Sequence, residues 1–263
     1  NINLEDKIKA FINIKDLKDE EFLDSHFIVM ATKKGTVKKT SVREYSRPRQ
    51  NGVNAITVRE GDELIDVALT NGQSEILLGS KFGYAVRFDE EDARAIGRTA
   101  SGVRGITLRA EDDEVIGMVC VDKTLETKPD IMVVSENGYG KRSALDDYRI
   151  TSRGGKGVIS LNVTDKTGSM IAIDSVTDEN DLMIINKSGI TIRIGLDTLR
   201  VIGRNTQGVR LINVNDEDAI AAVCKIEKEE ESENEGEDEN NLTNDEGKDQ
   251  NENGDQPSEE IKD

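Results

Sequence analysis

Asp130-Ile131-Met132-Val133-Val134-Ser135-Glu136-Asn137-Gly138-Tyr139-Gly140-Lys141-Arg142 spells out an apolar run, a polar turn and a return segment that ends on two cations. A continuous apolar run of this length, rich in Val and Ile and bounded by turn residues, reads as a strand buried on both faces. Asn137-Gly138 supplies the positive φ that a two-residue hairpin turn requires. The unit recurs three times, led by Phe27-Ile28-Val29-Met30, Glu75-Ile76-Leu77-Leu78 and Asp181-Leu182-Met183-Ile184-Ile185. The turn glycines are Gly35, Gly83, Gly138 and Gly189, spaced 48, 55 and 51 residues apart. Four positions after each stands a base: Lys39, Arg87, Arg142 or Arg193.

Each repeat carries a second glycine, Gly52, Gly102, Gly157 or Gly208, and ends on a closing strand. The closing strands begin Asp62-Glu63-Leu64-Ile65, Asp113-Glu114-Val115-Ile116, Gly168-Ser169-Met170-Ile171 and Glu217-Asp218-Ala219-Ile220. A period of this size in a strand-rich chain marks a bladed or solenoid array, because four short strands cannot bury their own face. The expectation is an all-β, β-propeller-like array of about four complete blades, at 25–73, 74–128, 129–179 and 180–226. Glu5-Asp6-Lys7-Ile8 repeats the closing strand, and there is no initiator Met. Residues 1–24 are therefore expected to be the end of a preceding blade and a linker, with the chain starting inside a repeat.

Of the 53 acidic and 35 basic residues, 17 acidic and 3 basic lie from Glu227 to Asp263, among many Asn, Gly and Ser. Such a segment cannot bury enough apolar surface to offset its ordering entropy, so 227–263 is expected to be a disordered acidic tail. It either solubilises the chain or competes with a polyanion for basic sites. The remaining body carries 36 acidic and 32 basic residues and is only mildly acidic.

Return strands and glycine loops place Lys38, Lys39, Arg87, Lys141, Arg142 and Arg193 at repeated stations on a rim, with Arg47, Arg98, Arg153 and Arg204 beside them. Arg49, Arg104 and Arg210 adjoin the same loops. Strand alternation puts Lys38 and Lys39 on opposite faces, so only one of them is expected to face a core. Cations after a hairpin turn also suit a solvated edge that blocks strand pairing. Cations at regular spacing suit a polyanion of regular charge, and phosphate contacts dominate sequence-independent affinity. In Arg153-Gly154-Gly155-Lys156-Gly157 the glycines let backbone N–H groups approach phosphate oxygens while Arg and Lys add charge. The Gly154-Gly155 pair is the part that exceeds what a turn demands. Curving 20 to 30 base pairs by 40 to 90° costs about 1 to 6 kcal/mol, so a wrap needs contacts from several blades. With 3% aromatic residues and no Trp, stacking of single-stranded bases is not the expected mode.

Other chemistries find no support. His26 is the sole histidine, and no Ser/His/Asp set, P-loop or zinc spacing is present. The acidic pairs recur at one blade station, which makes them turn residues. Cys120 and Cys224 end apolar runs and are expected to be core thiols in a reducing cytoplasm. No apolar run approaches the ~20 residues of a membrane span, and the N-terminus has no signal-sequence pattern.

Ser152-Arg153-Gly154-Gly155-Lys156-Gly157 matches the core of the box Q-[RKS]-R-G-G-K-G, with Thr151 where Gln is usual. Asn137-Gly138-Tyr139-Gly140-Lys141-Arg142, Gly102-Val103-Arg104-Gly105-Ile106 and Gly203-Arg204-Asn205-Thr206-Gln207-Gly208-Val209 fit the same family. Over residues 1–226 the chain resembles the C-terminal domain of DNA gyrase A, a six-bladed β-pinwheel that wraps duplex DNA around its rim. That family's wrapping box lies in its first blade, so this copy is read as a later-blade one. The resemblance implies a non-catalytic double-stranded-DNA-binding and wrapping module, cytoplasmic and nucleoid-associated. It would work with the remainder of gyrase A and with gyrase B in an A2B2 assembly that supercoils DNA negatively. No cofactor is implied in this chain; ATP and Mg²⁺ would serve other parts of the enzyme. Tyr45, Tyr84, Tyr139 and Tyr148 fall within the repeats and none is a nucleophile candidate. The alternatives are the equivalent domain of topoisomerase IV, where such boxes are degenerate or absent, and a propeller used for protein–protein contact.

Overall fold

The computed structural model describes residues 7–14, 16–215 and 218–228; Glu5, Asp6, Glu217 and the acidic tail beyond Lys228 lie outside them. The described chain is all-β, with one short helix, α1 (Glu20–Ser25), capped by the Asp19 carboxylate that accepts from the Phe22 N–H. The first hairpin is β1 (Phe27–Thr32) and β2 (Thr36–Ser41), closed by β3 (Leu64–Thr70). The second repeat contributes β4 (Ser74–Ser80), β5 (Tyr84–Asp89), the two-residue β6 (Val103–Arg104) and β7 (Val115–Asp122). The third contributes β8 (Asp130–Ser135), β9 (Tyr139–Ala144), β10 (Val158–Ile159) and β11 (Met170–Val176). The fourth contributes β12 (Asn180–Asn186), β13 (Thr191–Gly195), β14 (Val209–Arg210) and β15 (Ile220–Glu227). No strand forms in the described residues before β1, so the closing strand expected near Lys7-Ile8 is absent there.

Four antiparallel sheets result, ordered β3-β1-β2-β6, β7-β4-β5-β10, β11-β8-β9-β14 and β15-β12-β13. The outer strand of each four-stranded sheet comes from the following repeat. Val103 and Arg104 of the second repeat pair with Val37 and Thr36 of the first; Val158 and Ile159 pair with Ala85 and Tyr84; Val209 and Arg210 pair with Gly140 and Tyr139. The loop after each donated strand is then tied to the neighbouring turn. Gly105 and Ile106 N–H both donate to Gly35 O, Ser160 and Leu161 to Gly83 O, and Leu211 and Ile212 to Gly138 O. The blades are thus interlocked, the β-pinwheel form of a propeller.

The first three hairpin turns have three residues, not the two expected from the dipeptides. Lys33-Lys34-Gly35 closes with Gly35 N–H donating to Thr32 O at 2.9 Å, and Gly35 takes a φ of +84°. The glycine is the third, left-handed turn residue of a type I turn with a bulge, a conformation with little cost for glycine alone. The acidic residues behind it clamp the turn: Asp62 accepts from Thr32 Oγ1 at 2.7 Å and Lys34 N–H at 2.8 Å. Asp113 accepts from Phe82 N–H at 3.1 Å, and Asp218 from Ser188 N–H at 3.2 Å.

Alternation in the apolar strands builds the core between sheets. Val29 and Ala31 of β1 meet Ile76 and Leu78 of β4 in one cluster, while Leu77 on the other face of β4 meets Ile131 and Val133. Met132 and Val134 in turn join Leu182 and Ile184. On the far side of the first sheet Ile28 and Met30 are covered by Leu23 of α1. The inner strands of the first three sheets are therefore buried on both faces, at about 1.5 to 3 kcal/mol per large side chain. Cys120 is half-buried against the first of these clusters. Cys224, expected to be its counterpart in a core, is exposed on β15, because no further sheet covers that face among the described residues.

Candidate nucleic-acid interface

The cations four positions after the turn glycines do not stand on a solvent-facing rim in the first three sheets. Each is buried, and a buried charge must be compensated. Lys39 Nζ lies 2.9 Å from the buried Glu90 carboxylate of the next repeat and over the Phe27 ring. Arg87, only 4% exposed, binds Glu75 through Nε at 2.8 Å, and its Nη1 donates to Leu145 O at 2.7 Å and Tyr148 O at 2.9 Å. Arg142 does the same one sheet on, with Asp130 at 2.9 Å and Leu196 O at 2.7 Å. These side chains latch each sheet to the 3-10 turn of the repeat that follows. Arg193, at the equivalent position in the last sheet, pairs with Asp181 at 2.6 Å and is 41% exposed.

Lys38 and Lys141 are also withdrawn from the rim, each 1% exposed. The expectation that only one of Lys38 and Lys39 faces a core fails because both faces of β2 are covered. Lys38 Nζ donates to Ala55 O and Arg98 O. Lys141 Nζ donates to Gly203 O at 3.0 Å, to Arg204 O, and to Thr206 O and Oγ1 at 3.1 Å. Burial, assisted by the nearby Arg98 or Arg204 guanidinium, lowers both ammonium groups to a pKa of about 8. Their charge is used to gather the carbonyls of the glycine loops.

The loops themselves carry the accessible charge. Arg98, Arg153 and Arg204 occupy one position and make one kind of contact. Arg153 donates from Nε to Asp92 O at 2.8 Å and from Nη1 to Arg104 O at 3.1 Å. Arg204 donates to Asp147 O at 3.0 Å and Ile159 O at 2.8 Å. Arg98 reaches Asn54 O at 3.4 Å, with Glu44 3.9 Å from its Nε. Carbonyls orient a guanidinium without neutralising it. Among the described residues no carboxylate side chain forms an ion pair with Arg47, Arg49, Arg104, Arg153, Lys156, Arg204 or Arg210. Of these, Arg210 lies against Tyr139, donating to its hydroxyl at 2.6 Å, which lowers the phenol pKa. Three further exposed arginines escaped the sequence reading: Arg94, Arg149 and Arg200. They lie four residues before Arg98, Arg153 and Arg204, and extending the same repeat alignment upstream would have found them.

The Arg153–Gly157 loop borders a cleft of about 500 Å³ lined by Val86, Arg87, Arg149, Arg153, Gly155 and Lys156. Its three glycines have different reasons. Gly157 has a φ of +71°, and a Cβ there would meet Ala85 O at 2.4 Å, as it would meet Val37 O at Gly102 and Gly140 O at Gly208. Gly154 has a φ of +80° and a Cβ there would come no nearer than 3.6 Å to Arg104 O, so the backbone angle rather than crowding demands this glycine. Gly155 lies outside the left-handed region and a Cβ would find its nearest atoms 3.7 Å away. Of the pair singled out by sequence, Gly155 alone exceeds structural need. Gly157→Ala is therefore expected to cost about 2 to 3 kcal/mol of stability, whereas Gly155→Ala stays within about 0.5 kcal/mol; urea unfolding of both variants checks this.

Among the described residues no group of three or more His, Cys, Asp and Glu could hold a metal ion. No helix there is long and apolar enough to cross a membrane. The Tyr148 hydroxyl is buried 2.8 Å from Ser160 Oγ, and burial pushes its pKa up to about 12.

Residues 26–71, 74–122, 129–177 and 180–224 each match the sequence model of a family described as DNA gyrase C-terminal domain, beta-propeller. The DNA gyrase A protein of Staphylococcus aureus (strain NCTC 8325 / PS 47) is 43% identical over 224 residues, 85% of this chain. The same protein from strain MRSA252 is 43% identical over 222 residues. The chain spans about a quarter of the length of these curated relatives, 24% in both cases. Two solved structures share the fold. A C-terminal domain of DNA topoisomerase IV gives a TM-score of 0.73 at 24% identity, over 82% of this chain and 65% of that one. A DNA gyrase A C-terminal domain gives 0.72 at 22% identity, over 86% and 72%.

Proposed function

The chain belongs to the family of DNA gyrase C-terminal β-propeller domains, and from that premise we propose that it is a non-catalytic module that binds and wraps duplex DNA. The observation that carries the reading is the set of exposed cations at equivalent positions of successive interlocked blades, Arg94, Arg149 and Arg200, which have no ion-pair partner among the described residues. They stand beside Arg98, Arg153 and Arg204, and Lys156 is exposed on the second of these loops. A surface of this kind matches a backbone of evenly spaced phosphates and reads no base sequence. Gly155 adds an opening where a phosphate oxygen can approach main-chain N–H groups.

The complete protein would be a gyrase A, working with gyrase B in an A2B2 assembly. The wrap would present a second DNA segment for ATP-driven strand passage and so introduce negative supercoils. The chemistry of strand cleavage, with its ATP and Mg²⁺, would belong to other parts of that assembly, and the whole would work at the nucleoid in the cytoplasm. The 43% identity to a gyrase A supports gyrase over topoisomerase IV.

The test is topological. A relaxed circular plasmid is incubated with the chain and a nicking-closing enzyme, then deproteinised and resolved by linking number. A shift in linking number that grows with protein concentration supports wrapping, and Gly155→Ala should reduce it. Duplex binding without a shift favours a topoisomerase IV-like role. Absence of duplex binding at low salt favours a protein partner.

A further inference from the structure

Lys38, Val86 and Lys141 stand at one position, the third residue after the turn glycine, on the strand that faces the next repeat's glycine loop. In the first and third sheets the buried ammonium takes the carbonyls of Arg98 or Arg204. In the second sheet the equivalent carbonyl belongs to Arg153, and the apolar Val86 side chain cannot donate to it. A Cβ built on Gly155 would lie 3.7 Å from Val86 Cγ2, so the valine lies directly beneath the loop. The opposite side of each loop takes a backbone N–H, from Asn162 to Thr206 O at 3.0 Å in the third and, with an added hydroxyl, from a threonine in the other two. Thr107 donates through Oγ1 to Gly154 O at 2.7 Å and through N–H to Gly155 O at 2.9 Å. Thr57 does the same for Thr99 O at 2.6 Å and Ala100 O at 3.3 Å.

The Arg153–Gly157 loop therefore lacks the ammonium attachment at its Arg153 carbonyl, while its other side keeps the Thr107 bonds and adds Gly154 N–H donating to Gly105 O at 2.6 Å. It is also the loop with two consecutive glycines and with a cleft of about 500 Å³ beside it. We propose that Val86 is a specificity-determining residue. By leaving the Arg153 carbonyl without a lysine donor, it makes this the one of the three loops that can reshape its N–H groups beyond Gly154 around a sugar–phosphate backbone, while the lysine-pinned loops present fixed charge. The proposal rests on the DNA-binding reading above. Pinning by a lysine would draw the loop's carbonyls inward and hold its N–H groups in one arrangement. Apparent affinity then falls with the fraction of protein whose loop is free to adapt.

Amide hydrogen exchange on the free chain reads the pinning without DNA. Amides of 155–157 are expected to exchange at least about tenfold faster than those of 98–102 and 203–208. Val86→Lys should slow them by a similar factor, and Lys141→Met, which needs no new buried charge, should speed 203–208 to the same level. On a linear duplex of 25 base pairs, Val86→Lys is expected to weaken binding about threefold although it adds a cation. Equal exchange in the three loops of the unmodified protein overturns the pinning. Tighter binding by Val86→Lys, with its loop protected, overturns the link to DNA. A chain that shows the exchange pattern but ignores duplex at low salt overturns the DNA-binding reading and the ligand named here, and leaves the pinning standing.

Discussion

Arg87→Met is expected to lower the stability of the domain by about 3 to 5 kcal/mol, the range for breaking a buried ion pair from one side. The guanidinium is the hub of the second and third sheets, holding Glu75 in its own hairpin and two carbonyls, Leu145 O and Tyr148 O, in the next repeat. Methionine restores much of the volume but none of the five donors. It leaves a buried carboxylate without its counter-charge and two carbonyls without their N–H donors. The companion Glu75→Gln change should recover part of the loss, because the uncompensated charge is then gone, so the double variant should be more stable than the sum of the singles. Arg193→Met provides the contrast. Its side chain is 41% exposed and pairs with one carboxylate, so the expected loss is at most about 1 kcal/mol. Denaturant unfolding of the four proteins decides the matter, and equal losses at Arg87 and Arg193 would refute the latch.

The second large effect is on binding. Removing Arg94, Arg149, Lys156 and Arg200 together is expected to flatten the dependence of log affinity on log salt by about 3 to 4, close to 0.9 for each phosphate no longer neutralised. Binding at low salt should fall roughly 10²- to 10³-fold, because each absent cation also forfeits counterion release. The four are exposed and unpaired among the described residues, so the fold should tolerate their removal. Substituting Lys39 or Arg142 should leave the slope untouched in any variant that still folds, since their charges are matched by Glu90 and Asp130 inside the structure. An unchanged slope in the quadruple variant would remove the loops from the DNA-binding surface.

The strands and the fold class were legible because their signals are local. Ile131 to Val134 could be read as buried on both faces without knowing what lay on either side, and Gly35 and Gly138 announced their turns. The fate of the cations was not legible, because it is set by segments far away in sequence. Nothing in Thr36-Val37-Lys38-Lys39 shows that Arg98 O will meet one ammonium and Glu90 the other. Both partners arrive only when the next repeat folds back over β2. The two-residue donated strands were invisible for the same reason: Val103-Arg104 has no pattern of its own and becomes a strand by pairing with an edge. Gly155 was legible as unusual but not separable from Gly154, since the difference lies in a backbone angle.

Strand donation from the following repeat also has a temporal meaning. Thr36 pairs with Arg104, 68 residues further along, so a ribosome adding 5 to 20 residues per second leaves the first sheet unfinished for about 3 to 14 s. The second and third sheets inherit similar delays, and throughout each the edge of the newest return strand is available to any passing strand. Assembly is therefore directional, each repeat sealing the one made before it, and the interval between emergence and sealing is when this protein is most exposed to mispairing and most in need of a chaperone.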